Sequence, residues 1–117
     1  MTQRNKQPLK ELNEYQVFTI STAIYPDDME IIYPTLGLAG EVGEVADKVK
    51  KVCRDNNKQF DDEHRQEIAK ELGDVLWYVA ALAADLGFTL QEIAEINVKK
   101  LSSRKERNVL HGEGDNR

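Results

Sequence analysis

The sequence predicts an all-α fold of four main helices, a helical bundle completed by homo-oligomerisation. Three observations carry that expectation. A pattern at residues 38–49 (LAGEVGEVADKV) recurs at residues 68–79 (IAKELGDVLWYV), sharing Ala39/Ala69, Glu41/Glu71, Gly43/Gly73, Val45/Val75 and Val49/Val79. At about 100° per residue, Leu38, Val42, Val45, Val49 and Val52 form one apolar stripe, and Ile68, Leu72, Val75, Val79, Leu82 and Leu86 form another. The later half of the third helix, VLWYVAALAA, is apolar almost all the way round. Such a helix must be covered on every side, so Trp77, Ala81 and Ala84 are expected to face a second copy.

Each element has its own signals. Residues 1–7 read as a flexible N-terminus, followed by one domain over 8–108. Pro8 suits a first helical turn, and Leu9, Leu12, Val17, Ile20 and Ile24 recur at helical spacing as the apolar side of the first helix. Residues 25–35 (YPDDMEIIYPT) carry two prolines and an acidic pair and read as a connector. Its Tyr25, Ile31, Ile32 and Tyr33 are too apolar for a plain loop and are expected to cover the core or wall a pocket.

The second helix is expected from about residue 36 to 54, opened by Thr35 or a neighbour. After a polar break, Asp61 or Asp62 caps a third helix that ends near Leu86, with Gly87 as its stop. Thr89 and Glu92 form a capping box for a fourth helix to about residue 108, with Leu90, Ile93, Ala94 and Leu101 as its apolar side. Residues 109–117 read as a flexible tail.

Composition narrows the function. With 117 residues, 40% hydrophobic and 32% charged, the chain is expected to fold as one globular domain. One cysteine excludes an internal disulfide, and Cys53 reads as a core residue. There is no apolar run of about 18 residues and no signal-peptide core in MTQRNKQP, so a cytoplasmic location with no membrane partner is expected. A net charge of −5 argues against a nucleic-acid polymer as partner. The charge is nevertheless uneven, since residues 99–107 (KKLSSRKER) hold five basic residues and one acid.

The repeated pattern places Glu41 and Glu44 on one helix, and Glu71 and Asp74 at the same clock positions on the other. Packed antiparallel, the two helices bring four carboxylates to one cleft. Crowded carboxylates repel and raise one another's pKa values, and a cation relieves the cost. An all-oxygen set suits Mg²⁺, with Mn²⁺ as substitute, better than zinc. His64 and His111 lack the spacing of a zinc site. Gly43 and Gly73 sit mid-helix, where glycine costs about 1 kcal/mol relative to alanine, so a close approach by another backbone or a ligand is expected there.

Asn97, Lys100 and Arg104 lie at i, i+3 and i+7 and share a face suited to phosphate oxygens. The plainer readings are a solvated acidic face, hence a non-catalytic helical interaction module, and a basic helix end favoured by the macrodipole.

With these motifs in view, the sequence resembles the MazG-like nucleoside triphosphate pyrophosphohydrolases, an all-α superfamily that also holds dimeric dUTPases and phosphoribosyl-ATP pyrophosphohydrolases. Glu41, Glu44, Glu71 and Asp74 match its E-x-x-E and E-x-x-D signature, and Asn97, Lys100, Leu101 and Arg104 match a downstream N-x-x-K-L-x-x-R. The resemblance implies hydrolysis of a nucleoside triphosphate to monophosphate and pyrophosphate, in a homodimer or dimer of dimers. It also implies that the four acids hold Mg²⁺, that Glu41 or Glu44 activates water, and that Asn97, Lys100 and Arg104 hold the substrate. Tyr78 would border the base, and Lys48 would add charge to the site or pair with Glu44. Phosphoribosyl-ATP or a guanosine alarmone is the alternative substrate class.

Overall fold

A computed structural model describes residues 11–112 and 114–115. The described residues form α1 (Leu12–Thr22), α2 (Ile32–Asp55), α3 (Asp62–Asp85) and α4 (Leu90–Glu106), with one 3₁₀ turn (Asp27–Met29) between α1 and α2. The expected flexible residues 1–7, Pro8 and Leu9 lie outside the described residues.

Local chemistry sets the helix ends. The Asp61 carboxylate caps α3, accepting from the His64 N–H at 3.0 Å and lying 2.7 Å from His64 Nδ1. At the other end Gly87 takes φ 86, Phe88 N–H donates to the Ala83 carbonyl and Gly87 N–H to that of Ala84, a Schellman stop. The Thr89–Glu92 capping box opens α4 as expected. Asn108, at φ 61, closes α4 with the same bonding pattern, Val109 N–H to the Arg104 carbonyl and Asn108 N–H to that of Lys105.

The start of α2 differs from expectation: the helix begins at Ile32, and Ile32, Tyr33, Pro34 and Thr35 belong to it rather than to a connector. Pro34 sits in the first turn, where an N–H has no intrahelical partner to lose. Entry requires Ile31 at φ 68 and ψ −47, a conformation costing a β-branched residue about 1–3 kcal/mol. Side-chain bonds hold that twist on both sides. The Ile31 N–H donates to Asp85 Oδ2 at 2.9 Å, and the Thr35 hydroxyl donates to the Ile31 carbonyl at 2.6 Å.

α2 and α3 form a long hairpin, and α1 packs chiefly on α3. Here too the structure corrects the sequence reading, because α1 turns its polar face inward. Gln16 and Thr19 are buried, while Val17, Phe18 and Ile20 are 68%, 55% and 53% exposed and Ile24 lies beyond the helix end. The opposing surface explains the choice. α3 presents the small buried residues Ala80, Ala81 and Ala83, which admit a close helix but little branched bulk. Gln16 finds backbone partners at the α3–α4 corner, its amide donating to the carbonyls of Ala80 (3.2 Å) and Phe88 (3.1 Å) and its oxygen accepting from Leu90 N–H (3.0 Å). The Thr19 hydroxyl is buried with no hydrogen-bond partner among the described residues.

The face of α3 carrying Trp77 and Ala81 is therefore covered by α1 of the same chain, and Trp77 Nε1–H donates to the Thr22 hydroxyl at 2.8 Å. The apolar surface left bare lies elsewhere. Leu36, Val42, Leu72 and Leu76, together with the outer side of α1, are exposed. Cys53 is also exposed, since it lies about 100° round the helix from buried Val52. The Cα radius of gyration is 17.2 Å, against about 13 Å for a compact domain of this length.

Candidate metal centre and nucleotide site

The α2–α3 hairpin places Glu41 opposite Glu71 and Asp74, which are one turn apart on α3. One carboxylate oxygen from each lies within 4.8 Å of the others. Partial burial, then repulsion from Asp74, Glu71 and Glu44, pushes the Glu41 carboxyl above the usual carboxylate range. Three oxygens converging from two helices, with no nitrogen or sulfur among them, fit a hard divalent cation.

Glu44 stands outside this triad. It borders a neighbouring cleft of ≈ 260 Å³, lined also by Asp47, Lys48, Lys51 and His64. Lys48 pairs across the hairpin with Glu67 at 3.6 Å and Glu71 at 3.8 Å, not with Glu44. Its cation thus sits beside one member of the triad.

On the other side the triad opens towards aromatic rings. Glu41 and Asp74 share a cleft of ≈ 320 Å³ with Trp77 and Tyr78. The same two rings border a second cleft of ≈ 390 Å³ with Thr22, Ile24, Tyr25, Pro26 and Tyr33. Tyr25 and Tyr33 stack at 4.8 Å, and Trp77 meets Tyr78 edge-on at 5.0 Å. Burial, with the nearby Tyr33, Glu41 and Asp74, pushes the Tyr78 phenol upward and keeps it protonated. Of the four residues expected to cover the core or wall a pocket, Tyr25 and Tyr33 do line this cleft, whereas Ile31 and Ile32 are exposed and line none of the three.

Gly37, which sequence reasoning passed over, lets this ring approach: a Cβ there would collide with Tyr78. At Gly43 and Gly73 a Cβ would meet nothing within 4 Å, so no close backbone among the described residues explains those glycines.

Asn97, Lys100 and Arg104 border none of these clefts. α4 leaves α3 at 96°, which places the axis positions of Lys100 and Asp74 on the order of 20 Å apart. Arg104, buried, donates to the Asp115 carbonyl at 2.7 Å, and Lys100 reaches the Asp115 carboxylate at 3.4 Å. Asp115, in the segment expected to be a flexible tail, thus lies against the basic row. Lys100 and Arg104 in turn hold the Asp115 carboxyl below its usual range.

Comparison with known proteins supplies the deciding observation, for residues 34–109 match the MazG nucleotide pyrophosphohydrolase domain. The chain belongs to the MazG family. It is also 48% identical over 109 residues to the Gene 37 protein of Mycobacterium phage L5, covering 88% of this chain and 96% of that protein. No solved structure matches. Membership of the family implies nucleotide pyrophosphohydrolase activity in general, and the family's typical use of divalent metals agrees with the carboxylate triad.

Proposed function

We propose that the chain hydrolyses nucleoside triphosphates, deoxynucleotides included, to nucleoside monophosphate and pyrophosphate with Mg²⁺ or, in its place, Mn²⁺, and so controls or sanitises a nucleotide pool. The observation that carries this reading is the junction of an all-carboxylate triad with an aromatic cleft through Trp77 and Tyr78. A cation site and a stacking site side by side suit a triphosphate and its base.

Glu41, Glu71 and Asp74 hold the ion, which when bound offsets the triphosphate charge and polarises the α-phosphoryl group. Glu44, outside the triad yet within electrostatic reach of Glu41, is the carboxylate left to take a proton from the attacking water, with Glu41 as the alternative. The water oxygen bonds to the α-phosphorus, the bond to the bridging oxygen breaks, and pyrophosphate leaves. Lys48 balances charge at Glu71. Tyr78 borders the base.

The basic row enters through oligomerisation. Lys100 and Arg104 lie too far from their own triad, whereas bare apolar residues on α1, α2 and α3 and the extended shape favour a homo-oligomer. A second copy would then bring Lys100 and Arg104 to the β- and γ-phosphates and Asn97 to a phosphate or the sugar.

A panel of nucleotides with Mg²⁺, with and without chelator and with products separated, tests this reading. Monophosphate plus pyrophosphate, lost with chelator, is the expected result. Diphosphate plus phosphate, or turnover indifferent to chelator, would sink it.

A further inference from the structure

One wall of the aromatic cleft belongs to no helix. Tyr25 and Pro26, from the segment between α1 and the 3₁₀ turn, face Trp77 and Tyr78 of α3 and Tyr33 of α2. A loop wall keeps its shape only where something fixes it. Here one atom does so: Asp85 Oδ2, in the last turn of α3, accepts from the Tyr25 hydroxyl at 2.8 Å and from the Ile31 N–H at 2.9 Å.

Those two donors bracket the 3₁₀ turn, so a single carboxylate oxygen ties down both ends of the loop. The Ile31 bond also holds the left-handed backbone at φ 68 that starts α2. Burial and the Asp85 carboxylate push the Tyr25 phenol upward, so that it remains a donor. From Tyr25 the contacts run to Tyr33 by stacking at 4.8 Å and on to Tyr78 at 6.4 Å, which borders Glu41 and Asp74.

We propose that Asp85 is the positioning residue for the base end of the substrate: by holding Tyr25 and Ile31 on one oxygen it fixes the width of the aromatic cleft and thereby the affinity for the nucleobase. The inference rests on the reaction proposed above. It assigns Asp85 an effect on base binding and none on the chemical step.

The test compares wild type, Asp85→Ala, Asp85→Asn and Tyr25→Phe with Mg²⁺ on the preferred nucleotide and on methyl triphosphate, which has neither sugar nor base. Asp85→Ala should raise KM for the nucleotide about tenfold or more with kcat within about twofold, and leave kcat/KM for methyl triphosphate unchanged. Asp85→Asn, whose amide oxygen still accepts, should restore most of the affinity. Equal losses on both compounds, or a loss in kcat instead of KM, would overturn the proposal. If Asp85→Ala loses its helical circular dichroism, Tyr25→Phe, which removes one of the two bonds, decides by the same comparison. If the wild type cleaves neither compound, the pyrophosphohydrolase reading fails on its own. The Asp85 proposal is then decided by quenching of Trp77, the chain's one tryptophan, by nucleoside monophosphate, which Asp85→Ala should weaken; unchanged quenching would overturn it.

Discussion

The ring of Tyr78 occupies the volume that a Cβ on Gly37 would require. Two helices meet there at the mouth of the carboxylate triad, so a single methyl group tests whether the aromatic cleft matters to function. Gly37→Ala should displace Tyr78, cost about 1–3 kcal/mol by overpacking, and raise KM more than it lowers kcat. Thermal melts with steady-state kinetics check it. Unaltered kinetics at reduced stability would limit Tyr78 to packing.

Glu41 should behave in opposite ways with and without metal. Its carboxyl is held above the ordinary range, so the folded chain binds a proton there more tightly than the unfolded chain does. That stabilisation is present at low pH and fades as pH rises through the raised value. Glu41→Gln should therefore raise the Tm of chelator-treated protein at neutral pH, with the gain vanishing in acid, while lowering kcat about a thousandfold or more. A variant that keeps its activity would make the triad a solvated acidic face.

Asp61 carries the other sign. Its bonds from the His64 N–H and ring lower its pKa, so the cap's contribution is present above the ordinary aspartate range and lost as pH falls through the lowered value. The Tm difference between wild type and Asp61→Ala should be clear at pH 7 and small at pH 3. Melts at the two pH values settle it.

Thr19→Val removes a buried hydroxyl that has no partner among the described residues and keeps the branched shape. A gain of about 1 kcal/mol in denaturant unfolding is expected. A loss would mean that the hydroxyl is satisfied by a group other than protein.

Much of this fold is legible in the sequence because it is local. Caps at Asp61 and Thr89 and the stop at Gly87 act within four residues, and the repeated pattern sets the register that brings Glu41 to Glu71 and Asp74. What escaped depends on partners remote in sequence. The inward turn of Gln16 and Thr19 follows from alanines some sixty residues later on α3, which no periodicity in α1 announces. Helical residues 32–35 were hidden by Pro34, whose position in the first turn depends on the Ile31 twist and hence on Asp85. The role of Gly37 was hidden likewise, because Tyr78 is its reason.

The three bonds of Gln16 span 64, 72 and 74 residues of chain, whereas the α2–α3 hairpin closes over a short turn. Closing the long loops costs more chain entropy, so the hairpin forms first and α1 docks late. During synthesis α1, made before the other described helices, is then the last of them to settle. At about 5–20 residues per second it waits several seconds with its polar side unpaired, until the first turn of α4 supplies the Leu90 N–H that completes its set of partners.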